Sequence, residues 1–306
     1  MNNYILLVPI DIINKIINTY DIKMRDKMRF ISACCIFWKK INIYYLRSKF
    51  INDDALCQTK FKHITNLNIS SNMEITNILC LSHLSKLNIC NSLIEQRTIS
   101  VMNLSKLTNL NISLQNITCL NHLTSLTVLK ACTTALAIIP LTINIDNLIN
   151  LTNLNISRNT FVDHNSINRL TNLTKLNISF NNNIFNISNL TNLTILNIKY
   201  NHKISNISNL TNLRKLNANG YFSIIEQSDI NTLYNLTILK IFNNRQITNI
   251  THLTNITSLD ISGNFCLIDQ NNIDKLPSLT KLNMYRNKNI ISITHLTNLK
   301  HLCDSL

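Results

Sequence analysis

The chain has 306 residues, 45% of them hydrophobic, with 2 Gly and 3 Pro, a composition that excludes a long disordered or linker-like protein. Its formal net charge is +14, but the 29 Lys and Arg are scattered, with no run longer than Lys39-Lys40. By contrast 53 Asn and 49 Ile make up a third of the chain; Lys, Asn and Ile share AT-rich codons, so the charge reads as base composition and not as a nucleic-acid footprint, which requires clustering.

The first fifty residues carry helical periodicity. Ile12, Ile13, Ile16 and Ile17 recur at i, i+4 spacing after Pro9, which suits a first helical turn, and Asp11 complements the helix dipole there. A second helix is predicted over Met24 to Arg29. A third covers Phe30 to Lys40, with Phe30, Ala33, Cys34, Phe37 and Trp38 on its apolar side. The run Leu7-Val-Pro9-Ile-Asp11-Ile-Ile-Asn-Lys-Ile16-Ile17, followed by Cys35-Ile-Phe-Trp38-Lys-Lys-Ile41, resembles an F-box over residues 5 to 45. That resemblance implies three helices docking on the Skp adaptor of a cullin–RING ubiquitin ligase, with Pro9, Ile12, Ile16 and Trp38 carrying the docking surface or its packing. The pattern departs from the family at Val8, where Leu is usual, and at Ile36-Phe37, where a polar or basic pair is usual. A plain helical cap over the open end of the following repeats is the other reading, since an exposed terminal strand invites association. The N-terminus is a poor signal peptide, because it lacks a basic n-region and Asp11 interrupts its apolar run.

From about residue 64 to 306 the unit L-x-x-L-x-I returns, often with Asn three residues after the Ile, as in Leu151-Thr-Asn-Leu154-Asn-Ile156-Ser-Arg-Asn159. The second leucine falls at 67, 87, 110, 129, 154, 176, 196, 216, 239, 259, 282 and 302, in steps of 19 to 25 residues. This pattern resembles the short leucine-rich repeats of internalins and of the protein-phosphatase regulatory class. The resemblance implies an α/β repeat solenoid, a leucine-rich-repeat horseshoe with a parallel concave β-sheet. The predicted organisation is a helical F-box-like domain over 1–45, a linker and solenoid cap over 46–63, and about twelve repeats over 64–306. In each unit the second Leu and the Ile alternate with outward residues, as a half-buried strand requires. The Asn that follows is predicted to bond the backbone of its own turn and of the adjacent repeat. Returns such as Ile184-Phe-Asn-Ile187-Ser-Asn-Leu190 space their apolar residues by three, which suits a 3₁₀ or irregular segment. The copy Leu126-Thr-Val-Leu129-Lys-Ala131 departs from the pattern, and the long step after it predicts an irregular loop through Thr133 to Pro140. The Asn ladder is predicted to fail at Thr134 and Tyr221, with the least regular curvature at these points.

A repeat solenoid presents a long surface, so the expectation is a binding protein and not an enzyme. The 15 acidic residues are dispersed, the eight His fall mostly between repeats, and no phosphate loop, nucleophile elbow or metal-ligand spacing occurs. No cofactor is expected. The nine Cys lack a C-x-x-C pair and read as reduced thiols of a cytoplasmic or nuclear protein. No apolar run is long enough to span a membrane, and no nucleic-acid partner is expected. The exposed strand slots are mostly Asn, which reads as compositional drift. Lys175, Phe180, Lys199, Tyr200, Lys215, Lys240, Phe242, Tyr285 and Arg286 break that monotony, and they are the candidate concave-face residues for an acidic protein partner. Packing at the strand ends is the other reading for Phe180 and Tyr200. The composition resembles that of proteins from large DNA viruses or AT-rich protists, which would place the protein in a host cytoplasm in the viral case.

Overall fold

The computed structural model describes residues 45–47, 52–57, 63–134 and 143–303. The predicted N-terminal helices, with Pro9, Ile12, Ile16 and Trp38, and most of the predicted loop through Pro140 lie outside these residues. The chain divides into two compact units, residues 1–130 and 131–306, and the division falls within the copy that departs from the repeat pattern.

In the first unit the order is β1 (Tyr45–Arg47), α1 (Asp53–Leu56), β2 (Asn66–Asn68), β3 (Lys86–Asn88), α2 (Gln96–Val101), β4 (Asn109–Asn111) and β5 (Val128–Lys130). The strands pair in parallel in chain order, with Leu46, Leu67, Leu87, Leu110 and Leu129 in register. β1 adds a strand ahead of the predicted repeats, at the junction of the segments read as helical domain and linker. In the second unit β6 (Asn153–Asn155), α3 (His164–Asn168), β7 (Lys175–Asn177), β8 (Ile195–Asn197) and β9 (Lys215–Asn217) come first. They are followed by α4 (Gln227–Ile230), β10 (Ile238–Lys240), β11 (Ser258–Asp260), α5 (Gln270–Ile273), β12 (Lys281–Asn283) and β13 (His301–Cys303). These strands also pair in parallel in chain order, leucine opposite leucine.

The strands are three residues long, most of them because phrases of the type T-x-L-N-I-S supply both their start and their stop. At the start, the hydroxyl of Thr174, Thr194, Thr257 or Thr280 donates to the backbone carbonyl at the matching place one repeat earlier. At the stop, the side chain of Asn68, Asn88, Asn111, Asn155, Asn177, Asn197 or Asn217 accepts from the amide two residues on, an Asx turn that bends the chain off the sheet. The recurrent strand asparagines are therefore structural, and compositional drift is not needed to explain them. Between these ends the central leucine and the following Ile or Ala are buried, as at Leu154, Ile156, Leu216 and Ala218. Each Leu or Ile so placed contributes about 1.5–3 kcal/mol of transfer free energy.

The predicted inward asparagine ladder is present. The Nδ2 groups of Asn159 and Asn181 donate to the carbonyls of Ala131 and Asn159, and Asn201 donates to Asn181. Their Oδ1 atoms accept from the amides of Phe161, Asn183, Lys203 and Ile204 in their own turns. In the first unit Gln115 takes this place and donates to the carbonyls of Ile89 and Ser92. The ladder lapses at Tyr221, as predicted, because the turn there closes two residues late, Ser223 N–H onto the Gly220 carbonyl. It lapses also at Asn264, three residues after Ile261 in the repeat pattern: that residue is exposed, and the turn closes from Cys266 onto Gly263.

Repeat length decides the return. Where successive strand leucines are 20 residues apart, as from Leu176 to Leu196, the return contains only turns. Where they are 22 or 23 apart, as from Leu154 to Leu176 or Leu216 to Leu239, one α-helical turn is inserted (α2 to α5). The irregular return expected from the spacing holds for the short repeats, and the extra residues of the long ones close a helical turn.

Candidate protein-binding surface

After most strands come the residue following the buried Ile or Ala and then a residue with positive φ. In the first unit this second place is held by Ser71, Asn91 and Leu114, with φ of 56°, 51° and 62°. In the second unit it is held by Arg158 (61°), Phe180 (57°), Tyr200 (54°), Asn243 (55°) and Arg286 (59°), and by Gly220 and Gly263. A non-glycine side chain in this left-handed conformation costs about 1–2 kcal/mol. The geometry of the turn is imposed by the stacking and takes whatever residue the sequence supplies.

This strain points side chains along the stack, each leaning on the next repeat. The Arg158 guanidinium lies 4.1 Å from the centre of the Phe180 ring, and the Phe180 and Tyr200 rings are 4.7 Å apart. Tyr200 in turn rests on Gly220, where an added Cβ would meet its ring carbon at 3.2 Å. Lys199 stands 5.2 Å over Tyr200, Arg245 3.7 Å over Phe265, and Arg286 5.0 Å from the Tyr285 ring. Tyr221 meets Phe242 edge-on at 5.4 Å, and Phe222, 73% exposed, meets His202 at 5.5 Å.

The predicted surface residues thus fall into two sets. Phe180, Lys199, Tyr200, Phe242, Tyr285 and Arg286 gather at this strand-exit edge of the second unit. Phe180 and Tyr200 are half-buried against each other there, which is the packing role weighed for them from sequence. Lys175, Lys215 and Lys240 stand on the strand face, exposed. Register sets Lys175 and Lys215 on either side of Ile195, two strands apart, and places Lys240 beside Asp260. Sequence reading missed Arg158, Tyr221, Phe222, Arg245 and Phe265. A signal was available, because each lies at a repeat's ladder position or one residue from it.

Electrostatically the edge is one-sided. Among the described residues the salt bridges are Arg97–Glu95 and His295–Asp274, so no edge cation is paired with a carboxylate. The nearby Asp260 carboxylate accepts from the Ser262 hydroxyl at 2.5 Å and from Asn219 Nδ2 at 3.2 Å. In the first unit the strand face forms a shallow hollow of about 320 Å³ floored by Asn68, Asn88 and Asn111 and flanked by Lys86, Val128 and Lys130. Among the described residues no cluster of three His, Cys, Asp or Glu could hold a metal ion. No described helix is long and apolar enough to cross a membrane.

No protein-family model and no curated protein sequence matches the chain. Solved structures do. The internalin InlF of Listeria monocytogenes is 21% identical, over 79% of this chain and 81% of its own, with a TM-score of 0.57. A leucine-rich-repeat protein of Leptospira interrogans is 19% identical, over 85% and 76%, with a TM-score of 0.57. TLR13, in a complex with ssRNA13, is 20% identical over 87% of this chain but only 47% of its own, with a TM-score of 0.58. At these identities the likeness establishes the fold alone: the chain is built of stacked leucine-rich repeats.

Proposed function

We propose that the protein binds other proteins through its repeats and has no chemistry of its own, serving as the substrate-recognition adaptor of a cullin–RING ubiquitin ligase. The observation that carries the binding role is the strand-exit edge, where half-buried and exposed aromatic rings lie beneath cations that no described carboxylate neutralises. Tyr and Arg are the residue types that dominate interface energetics, and a one-sided positive edge favours an acidic partner. The adaptor role draws on the residues resembling an F-box, from Leu7 to Ile17 and from Cys35 to Ile41. An adaptor acts by raising the target's effective concentration at the ligase.

The other reading, a scaffold that occludes its partner, draws on β1. β1 is the first described strand, and the residues that precede it in sequence are those read as a helical cap in the alternative. Co-purification with a Skp-type adaptor separates the two. The intact chain should co-elute, and Ile12→Asp with Ile16→Asp, or Trp38→Ala, should abolish co-elution while the repeats stay folded. Intact chain that fails to bind Skp leaves the occluding scaffold. Charge reversal then locates the partner on the repeats: Lys199→Glu should weaken binding of an acidic, tyrosine-bearing peptide by about tenfold, and Lys240→Glu, on the strand face, by less. Unchanged binding in both variants would remove the edge from consideration.

A further inference from the structure

We propose that Cys57 and Cys80 form a reversible disulfide that staples α1 to the return between β2 and β3. The two sulfurs stand 2.6 Å apart, well inside the non-bonded contact of two thiols and a short step from the bond length of about 2.05 Å. Both residues are exposed and free in this structure, so a small oxidant can reach them. A second clamp already holds the same two segments together. The Asp53 carboxylate accepts from the amides of Thr76 at 2.9 Å and Asn77 at 3.1 Å, and from the Thr76 hydroxyl at 2.7 Å. Cys266 is a contrasting case: it is buried, so a small oxidant does not reach it.

The chemistry is thiol–disulfide exchange with a low-molecular-weight disulfide of the glutathione type. The Cys57 thiolate attacks one sulfur of that disulfide, forming a mixed disulfide and releasing one small thiolate. Cys80, whose thiol is pushed up to about 12 by burial and by the adjacent Cys57 thiol, then passes its proton to a released thiolate or to water. Its sulfur attacks Cys57 and displaces the second small thiolate. Two cysteine sulfurs are oxidised, one small disulfide is reduced to two thiols, and the two cysteine protons end on those thiols. The consequence is mechanical, because the staple locks the entry to the repeat stack and a reducing medium releases it. It does not depend on the proposed ligase role.

Tryptic cleavage gives an unambiguous readout, since residues 50–60 contain Cys57 as their one cysteine and residues 63–86 contain Cys80 as theirs. The full chain is equilibrated with oxidised and reduced glutathione, alkylated and digested without reduction. The expected product is the linked pair of these peptides, absent from Cys57→Ser and Cys80→Ser, and intramolecular when labelled and unlabelled chains are mixed. Amide exchange at Thr76 and Asn77 should slow by about tenfold or more in the oxidised form. Separate glutathione adducts on both cysteines without the linked pair, a link only between chains, or a link that forms only in denaturant would each overturn the proposal.

Discussion

At the scale of single residues the chain repeats one backbone conformation and fills it with unequal side chains. The left-handed position after each strand is occupied by glycine at Gly263, where the Asn243 amide oxygen lies 2.1 Å from where a Cβ would sit. In the first unit the same position is occupied by Leu114 at φ 62° with its side chain 45% exposed. Opposite outcomes follow from one slot. Gly263→Ala should destabilise the protein by about 2–4 kcal/mol, through the clash and a φ of 102° that side chains resist. Leu114→Asn should stabilise it by about 0.5–1 kcal/mol, because asparagine tolerates the conformation that leucine resists. Urea titration of the two variants checks both signs. Asn201 is the third case. It is buried, accepts two amides and donates to two carbonyls, so Asn201→Ala should cost about 2–4 kcal/mol in the same assay.

At the scale of elements, the single-turn helices hold the repeat that follows them. Gln96, Gln227 and Gln270, each opening its helix, accept two consecutive amides of the next repeat and donate to a carbonyl there. Asp53 opens α1 and does the same with a carboxylate, accepting from Thr76 and Asn77. Burial raises its pKa, but the hydrogen bonds from the Thr76 hydroxyl and the two amides outweigh burial and hold the carboxyl below its ordinary 3.8. With the folded value below the unfolded one, the bonds stabilise the fold above 3.8 and are lost as pH falls through the depressed value. Protection of the Thr76 and Asn77 amides should therefore collapse below that point. Protection of Thr248 and Asn249, held by the neutral Gln227, should not respond to the same titration. Equal responses in a hydrogen-exchange series would refute the assignment. The helices themselves were only half legible. Apolar spacing of three in the returns signals the absence of a long helix, whereas the single turns depend on residues added to a repeat whose ends are fixed by stacking.

At the scale of the whole molecule, stability in each unit is a sum over neighbouring repeats and not the property of one core. Leu216, at 1% exposure between two paired strands, and Leu302, at 43% in the last described strand, hold the same repeat position. Leu216→Ala should cost about 2–5 kcal/mol and Leu302→Ala less than about 1 kcal/mol, measured by chemical denaturation. Amide protection should rise from β13 toward β9 as openings from that end become less frequent. The proposed binding edge is a property of this scale too. Its residues are 20 or more apart in sequence, as Arg158, Phe180 and Tyr200 are, and they meet because register stacks equivalent turns.

The sequence by itself determined the repeat, the in-register leucines, the inward asparagine ladder and its lapse at Tyr221, because each follows from residues within one unit and a strict spacing. It also named six of the side chains that stand at the strand-exit edge, Phe180, Lys199, Tyr200, Phe242, Tyr285 and Arg286. Only the tertiary structure decided that three of the predicted lysines stand on the strand face while the rings gather at the strand exits. The same holds for Arg158 lying over Phe180, for the strand asparagines being turn-formers, and for Cys57 meeting Cys80. The physical reason is common to all of these: a side chain's direction after the strand is set by a left-handed turn, and its neighbour is set by stacking across about twenty residues. Neither quantity is encoded within the stretch of chain where the residue is read.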